Sequence, residues 1–136
     1  MKITRQALQQ IHAHLESGYP NEACGVLLGK DGVVTEGAPA TNERTDSAHN
    51  RYLITYAQKD IQNDADRRGL EVIGYYHSHP DVPARPSQFD LEHAIPWPGI
   101  SYLIVSVCKG KAVESNSWRL RDDRSAFDQE PVEISA

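Results

Sequence analysis

Three short apolar runs constrain the fold of this chain more than any other feature. They read ACGVLLGK at 23–30, VIGYYHSH at 72–79 and ISYLIVSVC at 100–108. The first run is too short for a helix and is bounded by Pro20 and by the dipeptide Asp31-Gly32, so a buried strand fits it best. The other two runs have the same character, and the third is the clearest strand signal in the sequence. We therefore predict a sheet that contains these segments as buried strands.

Apolar residues at helical spacing predict the helices. The first such segment lines up Leu8, Ile11 and Leu15 before Gly18, a residue that can end a helix. The second begins with a capping-box pattern, and its apolar residues recur every four positions up to another glycine. A shorter helix is expected after the proline-rich loop. The predicted helices cover residues 4–17, 55–69 and 87–94.

Two glycine-containing turns extend the predicted sheet. Asp31-Gly32 is a strong hairpin signal, so a strand should return antiparallel to the first one, and Lys109-Gly110 is a second turn. The further strand predictions are 33–41, 51–54, 112–120 and 131–134, and the predicted loops are 41–50 and 80–86. This element order predicts the α+β class, with a mostly antiparallel or mixed sheet and helices packed on it. The length suits a single domain over 1–136.

The charge balance and the absence of long apolar segments limit the classes of function. The 136 residues include 14 basic and 19 acidic side chains, a net charge of −5. That balance argues against a nucleic-acid partner, because phosphates bind clustered lysine and arginine. The chain lacks the apolar stretch of a signal peptide or of a transmembrane helix. We expect a cytoplasmic protein that binds no membrane, with Cys24 and Cys108 as buried, reduced thiols.

Two histidines at the end of the second buried strand begin a constellation that can bind a metal. His77 and His79 are two residues apart, so their side chains lie on the same face of the strand. Ser87 follows His79 by eight residues, and Asp90 comes three residues later. Two neutral imidazoles and one carboxylate form a common catalytic zinc set, in which water or substrate takes the fourth position. The spacing therefore indicates an open, reactive metal site.

Each of these residues also has an ordinary interpretation. Ser87 and Asp90 match a capping box, and a single histidine usually has a surface or core role. We assign such roles to His12, His14, His49 and His93. Iron(II) is an alternative metal for this ligand set, although oxygenase folds generally need more strands than this length offers. A zinc deaminase requires C-x-x-C as well as H-x-E, and it is excluded because Cys24 and Cys108 are too far apart to form C-x-x-C. A nucleophilic Cys24 is disfavoured by its apolar surroundings.

The combined pattern resembles the JAMM (MPN+) metallopeptidase family. The residues that carry the resemblance are Glu22, His77, Ser78, His79, Pro80, Ser87 and Asp90. The resemblance covers most of the chain and implies a curved mixed β-sheet flanked by helices. It also implies one Zn²⁺ per chain, held by His77, His79 and Asp90. Under the same resemblance Glu22 is the general base, and Ser87 donates a hydrogen bond to the oxyanion.

The resemblance also implies a class of substrate. Family members cleave peptide or isopeptide bonds after the C-terminal glycines of ubiquitin-like proteins, and compact prokaryotic members act on small β-grasp sulfur carriers. The leaving group is then an amino acid such as cysteine, or a lysine of a target protein. A Gly-Gly tail could add beside a sheet edge near 41–50 and 80–86, and Trp97 is a candidate for the cleft. A non-catalytic MPN-type binding module is the alternative, and the oligomeric state is left open.

Overall fold

The computed structural model describes residues 1–40, 59–92 and 100–136, which contain eight strands and three helices. The strands are β1 (Lys2–Thr4), β2 (Cys24–Lys30), β3 (Val33–Ala40), β4 (Glu71–Pro80), β5 (Ser101–Cys108), β6 (Lys111–Leu120), β7 (Phe127–Glu130) and β8 (Glu133–Ser135). The helices are α1 (Arg5–Gly18), α2 (Lys59–Arg68) and α3 (Gln88–Glu92). None of these described helices is long and apolar enough to cross a membrane.

The described strands form one mixed sheet in the order β7-β6-β5-β4-β2-β3-β1-β8. The pairs β1–β3, β1–β8 and β4–β5 are parallel, and the other neighbouring strands are antiparallel. Register shifts interrupt the pairing of β2 with both of its neighbours and of β5 with β6. Such irregularities bend and twist a sheet. The predicted α+β class, with a mixed sheet flanked by helices, is confirmed.

Helix α1 packs on one face of this sheet. It begins after Thr4, whose hydroxyl accepts a hydrogen bond from the first turn and so caps the helix. Leu8, Ile11 and Leu15, the residues at helical spacing, are buried and join a core with side chains of β2, β4 and β5. Tyr76 of β4 belongs to the same core. Because side chains alternate along a strand, the residues on either side of Tyr76 point to the opposite face.

Helix α2 covers part of that opposite face. Its Ala65 is fully buried in a cluster with Val26 of β2. Cys24, two residues before Val26, lies on the same face and pairs with His77 across β2 and β4. The predicted metal ligands of β4 therefore lie on the α2 side of the sheet, beyond the end of that smaller cluster.

Strand β4 is held from both sides before it reaches these histidines. It pairs antiparallel with β2 and in parallel with β5, where His79 lies beside Ser106. At the start of the strand, a Cβ atom on Gly74 would overlap the backbone of Ser101, so only glycine allows this close approach. The end of β4 is thus part of a rigid framework rather than a free loop.

Two short strands are absent from the sequence-based prediction. Residues 2–4 form β1, whereas we expected the first helix to begin at residue 4, and residues 127–130 form β7. The C-terminal strand, predicted at 131–134, lies at Glu133–Ser135 and pairs in parallel with β1. Both cysteines are free thiols. The prediction that both are buried is correct for Cys24 and wrong for Cys108, which is partly exposed.

Several predictions lie outside the described residues. They concern the loop 41–50, the strand 51–54, the start of the second helix, His49, His93 and Trp97. The other predicted strands agree with the observed ones to within one or two residues, which is the usual uncertainty at element ends. The described part of the third helix is Gln88–Glu92.

Candidate metal centre

The end of β4 brings two imidazoles together. The Nε2 atoms of His77 and His79 lie 3.2 Å apart. Asp90 reaches them from α3, with its Oδ1 3.3 Å from His77 Nε2 and its Oδ2 3.1 Å from His79 Nε2. All three side chains are buried. The three predicted ligands therefore converge on one point, although a loop of residues 81–86, which we name the Pro83 loop, separates β4 from α3 along the chain.

The first residues of α3 fix the direction of the Asp90 side chain. The Ser87 N–H donates to Asp90 Oδ2 at 2.8 Å, and Ser87 Oγ accepts the Asp90 N–H at 3.1 Å. This reciprocal pair is the capping box that the sequence indicated. Because Asp90 Oδ2 also faces His79, one carboxylate satisfies both the helix terminus and the cluster of histidines.

Glu22 approaches the same point from the start of β2. The neighbouring Ala23 N–H donates to Ser78 Oγ at 2.9 Å, and the Ala23 carbonyl accepts the Ser78 N–H at 3.0 Å. These bonds hold the segment before β2 against β4. Glu22 is only 6% exposed, and its carboxylate lies within 4.8 Å of a ring nitrogen of both His77 and His79. A carboxylate at this distance can reach a water molecule that is held at the imidazoles.

Burial and hydrogen bonding set the protonation of the cluster. The Pro83 carbonyl can only accept, so His79 Nδ1, 2.9 Å away, donates a hydrogen bond to it. Burial lowers the pKa of His77 despite the opposing charge of Asp90, which keeps this imidazole neutral at neutral pH. Burial raises the pKa of Asp90, but His77, His79 and the Ser87 N–H outweigh it and hold that pKa well below its usual range.

This donor set fits a divalent cation. His79 Nε2 and the ionised Asp90 Oδ2 lie 3.1 Å apart, in a site that is closed to most solvent. A proton on Nε2 or a metal cation between the two atoms stabilises such a buried contact. Two imidazole nitrogens and one carboxylate suit Zn²⁺, with a fourth position left for water or substrate. The same donors also suit iron(II).

Comparison with known families agrees with this arrangement. The chain matches the family described as prokaryotic homologs of the JAB domain over residues 4–121, a segment that includes every residue of the cluster. The chain belongs to this family. The resemblance to the JAMM/MPN family that the sequence motif carried is thereby confirmed.

Known relatives of this JAB-domain protein extend the comparison. A desampylase from Haloferax volcanii is 32% identical over 112 residues, which are 78% of this chain and 80% of that protein. A CysO-cysteine peptidase from Mycobacterium tuberculosis is 32% identical over 124 residues, 90% of this chain and 82% of that protein. A solved JAB1/MPN domain protein from Archaeoglobus fulgidus has a TM-score of 0.68 and 22% identity over 100% of both chains. The last likeness shows the fold.

Cys24, His12 and His14 of this JAB-domain protein have structural explanations. Cys24 pairs with His77 but has 0% exposure, which argues against a thiol nucleophile. His12 Nε2 lies 2.8 Å from Ser115 Oγ, in agreement with the structural role that the sequence indicated. His14 has a similar role, with its Nδ1 2.8 Å from the hydroxyl of Tyr76.

Sequence reasoning did not find two residues that support the cluster. Ser78 bonds to Ala23 and thereby holds the Glu22 segment, and its place inside the HSHP motif was the only signal. Pro83 accepts the His79 Nδ1–H through its backbone carbonyl, which any residue type could supply. The prolines around this position predicted a loop, but they carried no information about the direction of a carbonyl group.

Proposed function

We propose that this JAB-domain protein is a zinc-dependent peptidase or isopeptidase with one Zn²⁺ per chain. It hydrolyses the amide bond that follows the C-terminal Gly-Gly of a ubiquitin-like or sulfur-carrier protein. The observation that carries the proposal is the convergence of His77, His79 and Asp90, with the Glu22 carboxylate beside them. A purely structural zinc site would use four protein ligands, usually including cysteines. Three ligands and a neighbouring buried carboxylate support hydrolytic chemistry instead.

Glu22 is the general base in the proposed reaction. A bound zinc ion lowers the pKa of its water towards neutrality and polarises the scissile carbonyl. The Glu22 carboxylate, within 4.8 Å of the histidine nitrogens, would take a proton from the attacking water and deliver it to the leaving amine. A positioned acid–base group of this kind contributes ~10²–10⁴-fold in rate.

Ser87 is the proposed donor to the oxyanion. Its Oγ accepts the Asp90 N–H, and this geometry leaves the hydroxyl proton for donation to a second group. Because Ser87 is tied to Asp90 by two hydrogen bonds, its hydroxyl stays beside the metal ligands. A donor at this position stabilises the negative charge that develops on the substrate carbonyl oxygen.

The relatives support a small protein as the substrate. Their names describe a desampylase and a peptidase for CysO-cysteine. We propose a β-grasp partner of the same kind, whose narrow Gly-Gly tail adds beside a strand near the centre. The Pro83 loop is one proposed wall of the site that binds this tail, and its Val82 is 50% exposed. The segment 41–50, outside the described residues, is the other candidate.

Replacement of the base tests whether the protein is an enzyme. We expect Glu22→Gln to bind Zn²⁺ and a Gly-Gly-tailed carrier like the wild type, while cleavage falls at least ~10²-fold because the proton acceptor is lost. Carrier–cysteine and carrier–lysine adducts are incubated with each protein, and mass spectrometry reads the products and so identifies the leaving group. Cleavage by Glu22→Gln at the wild-type rate, or the absence of cleavage by the wild type, would favour a non-catalytic MPN-type binding module.

Removal of a ligand tests the metal. We expect His77→Ala to purify without zinc. The control is His12→Ala, which replaces a histidine of α1 that contacts Ser115, and this variant should retain one Zn²⁺ per chain. Elemental analysis of both variants and of the wild type gives the metal content. Wild-type protein that carries iron and consumes oxygen would contradict the zinc assignment. Cleavage that persists after chelation would contradict the proposed mechanism.

A further inference from the structure

Side chains of β6 hold the Pro83 loop by the backbone of one residue. Glu114 Oε1 accepts the Ala84 N–H at 2.9 Å. The Ala84 carbonyl accepts from Asn116 Nδ2 and from Trp118 Nε1, each at 3.2 Å. Glu114, Asn116 and Trp118 occupy alternate positions of β6, so all three point to the same face of the strand. Both polar backbone groups of the buried Ala84 are therefore bonded to a single strand.

A second strand holds the residue on the other side of Pro83. Ser106 Oγ of β5 donates to the Val82 carbonyl at 2.6 Å. The carbonyls of Val82 and Ala84 thus have fixed partners in the sheet, and Pro83 lies between them. Its own carbonyl accepts the Arg85 N–H at 2.9 Å as well as the His79 Nδ1–H. The loop geometry directs this carbonyl at a proposed metal ligand.

The side chains that bond to the Pro83 loop line a groove beneath it. It has a volume of about 640 Å³ and is lined by the loop itself and by residues of β5, β6 and β7. The polar atoms of Ser106, Glu114, Asn116 and Trp118 are directed at the loop backbone. Gln129 of β7 in turn donates to Asn116 Oδ1 at 3.3 Å and so orients this amide. These polar side chains of the groove therefore hold the backbone of the Pro83 loop in place.

We propose that Glu114, Asn116 and Trp118 are positioning residues that select the tautomer of His79. With the proton on Nδ1, His79 bonds to Pro83 and presents a bare Nε2. In the other neutral tautomer the proton is on Nε2, which lies 3.1 Å from Asp90 Oδ2 and would donate to it. That internal hydrogen bond occupies both atoms that a zinc ion needs. A fixed Pro83 carbonyl favours the first tautomer, and β6 fixes the carbonyl.

This inference rests on the proposed function, and it deepens the account of the same site. Outer hydrogen-bond partners of a metal ligand set its orientation, and their loss typically weakens metal binding 10–100-fold. The β6 side chains act one step further out, through the backbone of Ala84. They touch neither the substrate nor the metal, so a readout other than cleavage is needed to separate positioning from general stability.

Three substitutions on β6 make the test. Glu114→Ala removes the acceptor of the Ala84 N–H, whereas Glu114→Gln keeps an oxygen in the same place without the charge. Ser115→Ala is the matched control, because Ser115 is the next residue, points to the other face and loses one hydrogen bond to His12. Zinc affinity is measured by chelator competition, and thermal unfolding of the zinc-free proteins checks the fold. Long-range ¹H–¹⁵N spectra of the zinc-free proteins report the His79 tautomer.

We expect Glu114→Ala to bind zinc about 10–100-fold more weakly and to show a mixture of His79 tautomers. Glu114→Gln and Ser115→Ala should stay within about threefold of the wild type and keep the Nδ1–H tautomer. If Glu114→Ala does not fold, Ser106→Ala, which frees the Val82 carbonyl, is judged by the same criteria. Wild-type zinc affinity together with an unchanged tautomer in the folded variant would overturn the inference.

The failure of this inference differs from the failure of the proposed function. If Glu114→Ala behaves like the wild type while Glu22→Gln abolishes cleavage, the peptidase proposal stands and the positioning role is wrong. If the wild type itself binds no zinc, both the peptidase proposal and the positioning role are wrong. The wild-type protein alone is enough to show this.

Discussion

Ser87 and Asp90 cap the start of α3, and we propose a second, chemical task for each. Their reciprocal hydrogen bonds close the first turn of the helix, as a capping box does. The same Asp90 carboxylate faces both histidines, and Ser87 Oγ acts as an acceptor in its bond to the Asp90 N–H, so the proposed oxyanion bond would use the hydroxyl proton. A substitution at either residue therefore changes the local structure and the chemistry together, unless the replacement preserves one of the two tasks.

Ser87→Ala should reduce turnover without removal of the metal. We expect kcat to fall about 10²–10³-fold because the donor to the oxyanion is lost. Zinc content should stay at the wild-type level, since the Ser87 backbone N–H still binds Asp90 Oδ2. Steady-state cleavage of a carrier adduct and elemental analysis measure the two effects. Ser87→Thr is the control that keeps the hydroxyl, and equal kcat values for the alanine and threonine variants would contradict the assigned role.

At the scale of the element, one carboxylate joins three neighbouring strands. Glu130 of β7 accepts hydrogen bonds from Arg119 and Ser117 of β6 and from Ser101 of β5, at 2.8, 2.7 and 2.8 Å. Burial raises the pKa of Glu130, but these donors and the positive charges beside it outweigh burial and lower the pKa to about 2. The ionised form is therefore the one that stabilises this side of the sheet.

Glu130 should make stability depend on acid pH. A folded-state pKa of about 2, against an ordinary value of 4.5, gives a contribution that is complete above about pH 4.5 and is lost as the pH falls towards 2. We expect Glu130→Gln to lower the free energy of unfolding at pH 7 by on the order of 2–3 kcal/mol, with a smaller difference at pH 3. Urea unfolding at both pH values measures it. Asp128→Asn, in an exposed ion pair with Arg121, should change little, and an equal effect of Glu130→Gln at both pH values would contradict the prediction.

The elements that the sequence predicted are those with local signals. Strands β2, β4 and β5 are continuous apolar runs, and α1 has apolar residues on one face, so burial alone identifies them. Strands β1 and β7 have three and four residues, and most are polar. Their strand conformation depends on pairing with distant segments and on contacts such as those of Glu130, which no local pattern contains.

The candidate metal centre also has parts that local sequence patterns predict and a part that they do not. His77 and His79 converge because alternation along a strand is a local property, and Asp90 follows at a spacing that fits a short helix. The hydrogen bond from His79 to Pro83 depends instead on the path of a loop that β6 holds from the other side. Backbone carbonyls have no residue-type signature, so this part of the site could be found only in the structure.

At the scale of the whole molecule, the proposed centre connects three parts of the chain. Glu22 precedes β2, the histidines end β4, and Asp90 lies on α3 beyond the Pro83 loop. The imidazole nitrogens and carboxylates of these parts lie close together in a buried space. A metal ion that binds to these donors would connect the three parts by coordination bonds, so its binding free energy would stabilise the folded state as a whole.

Zinc should therefore raise the unfolding temperature. At a free zinc concentration 100 times the Kd, binding stabilises a folded protein by about 2.7 kcal/mol, which corresponds to roughly 10 °C for a chain of this size. Calorimetry of the zinc-loaded and chelator-treated protein measures the shift, and magnesium at the same concentration is the control, since it prefers oxygen ligands. The shift should disappear in His77→Ala and persist in Glu22→Gln, because only the former removes a proposed ligand. A shift of equal size in His77→Ala would mean that zinc binds elsewhere on the molecule.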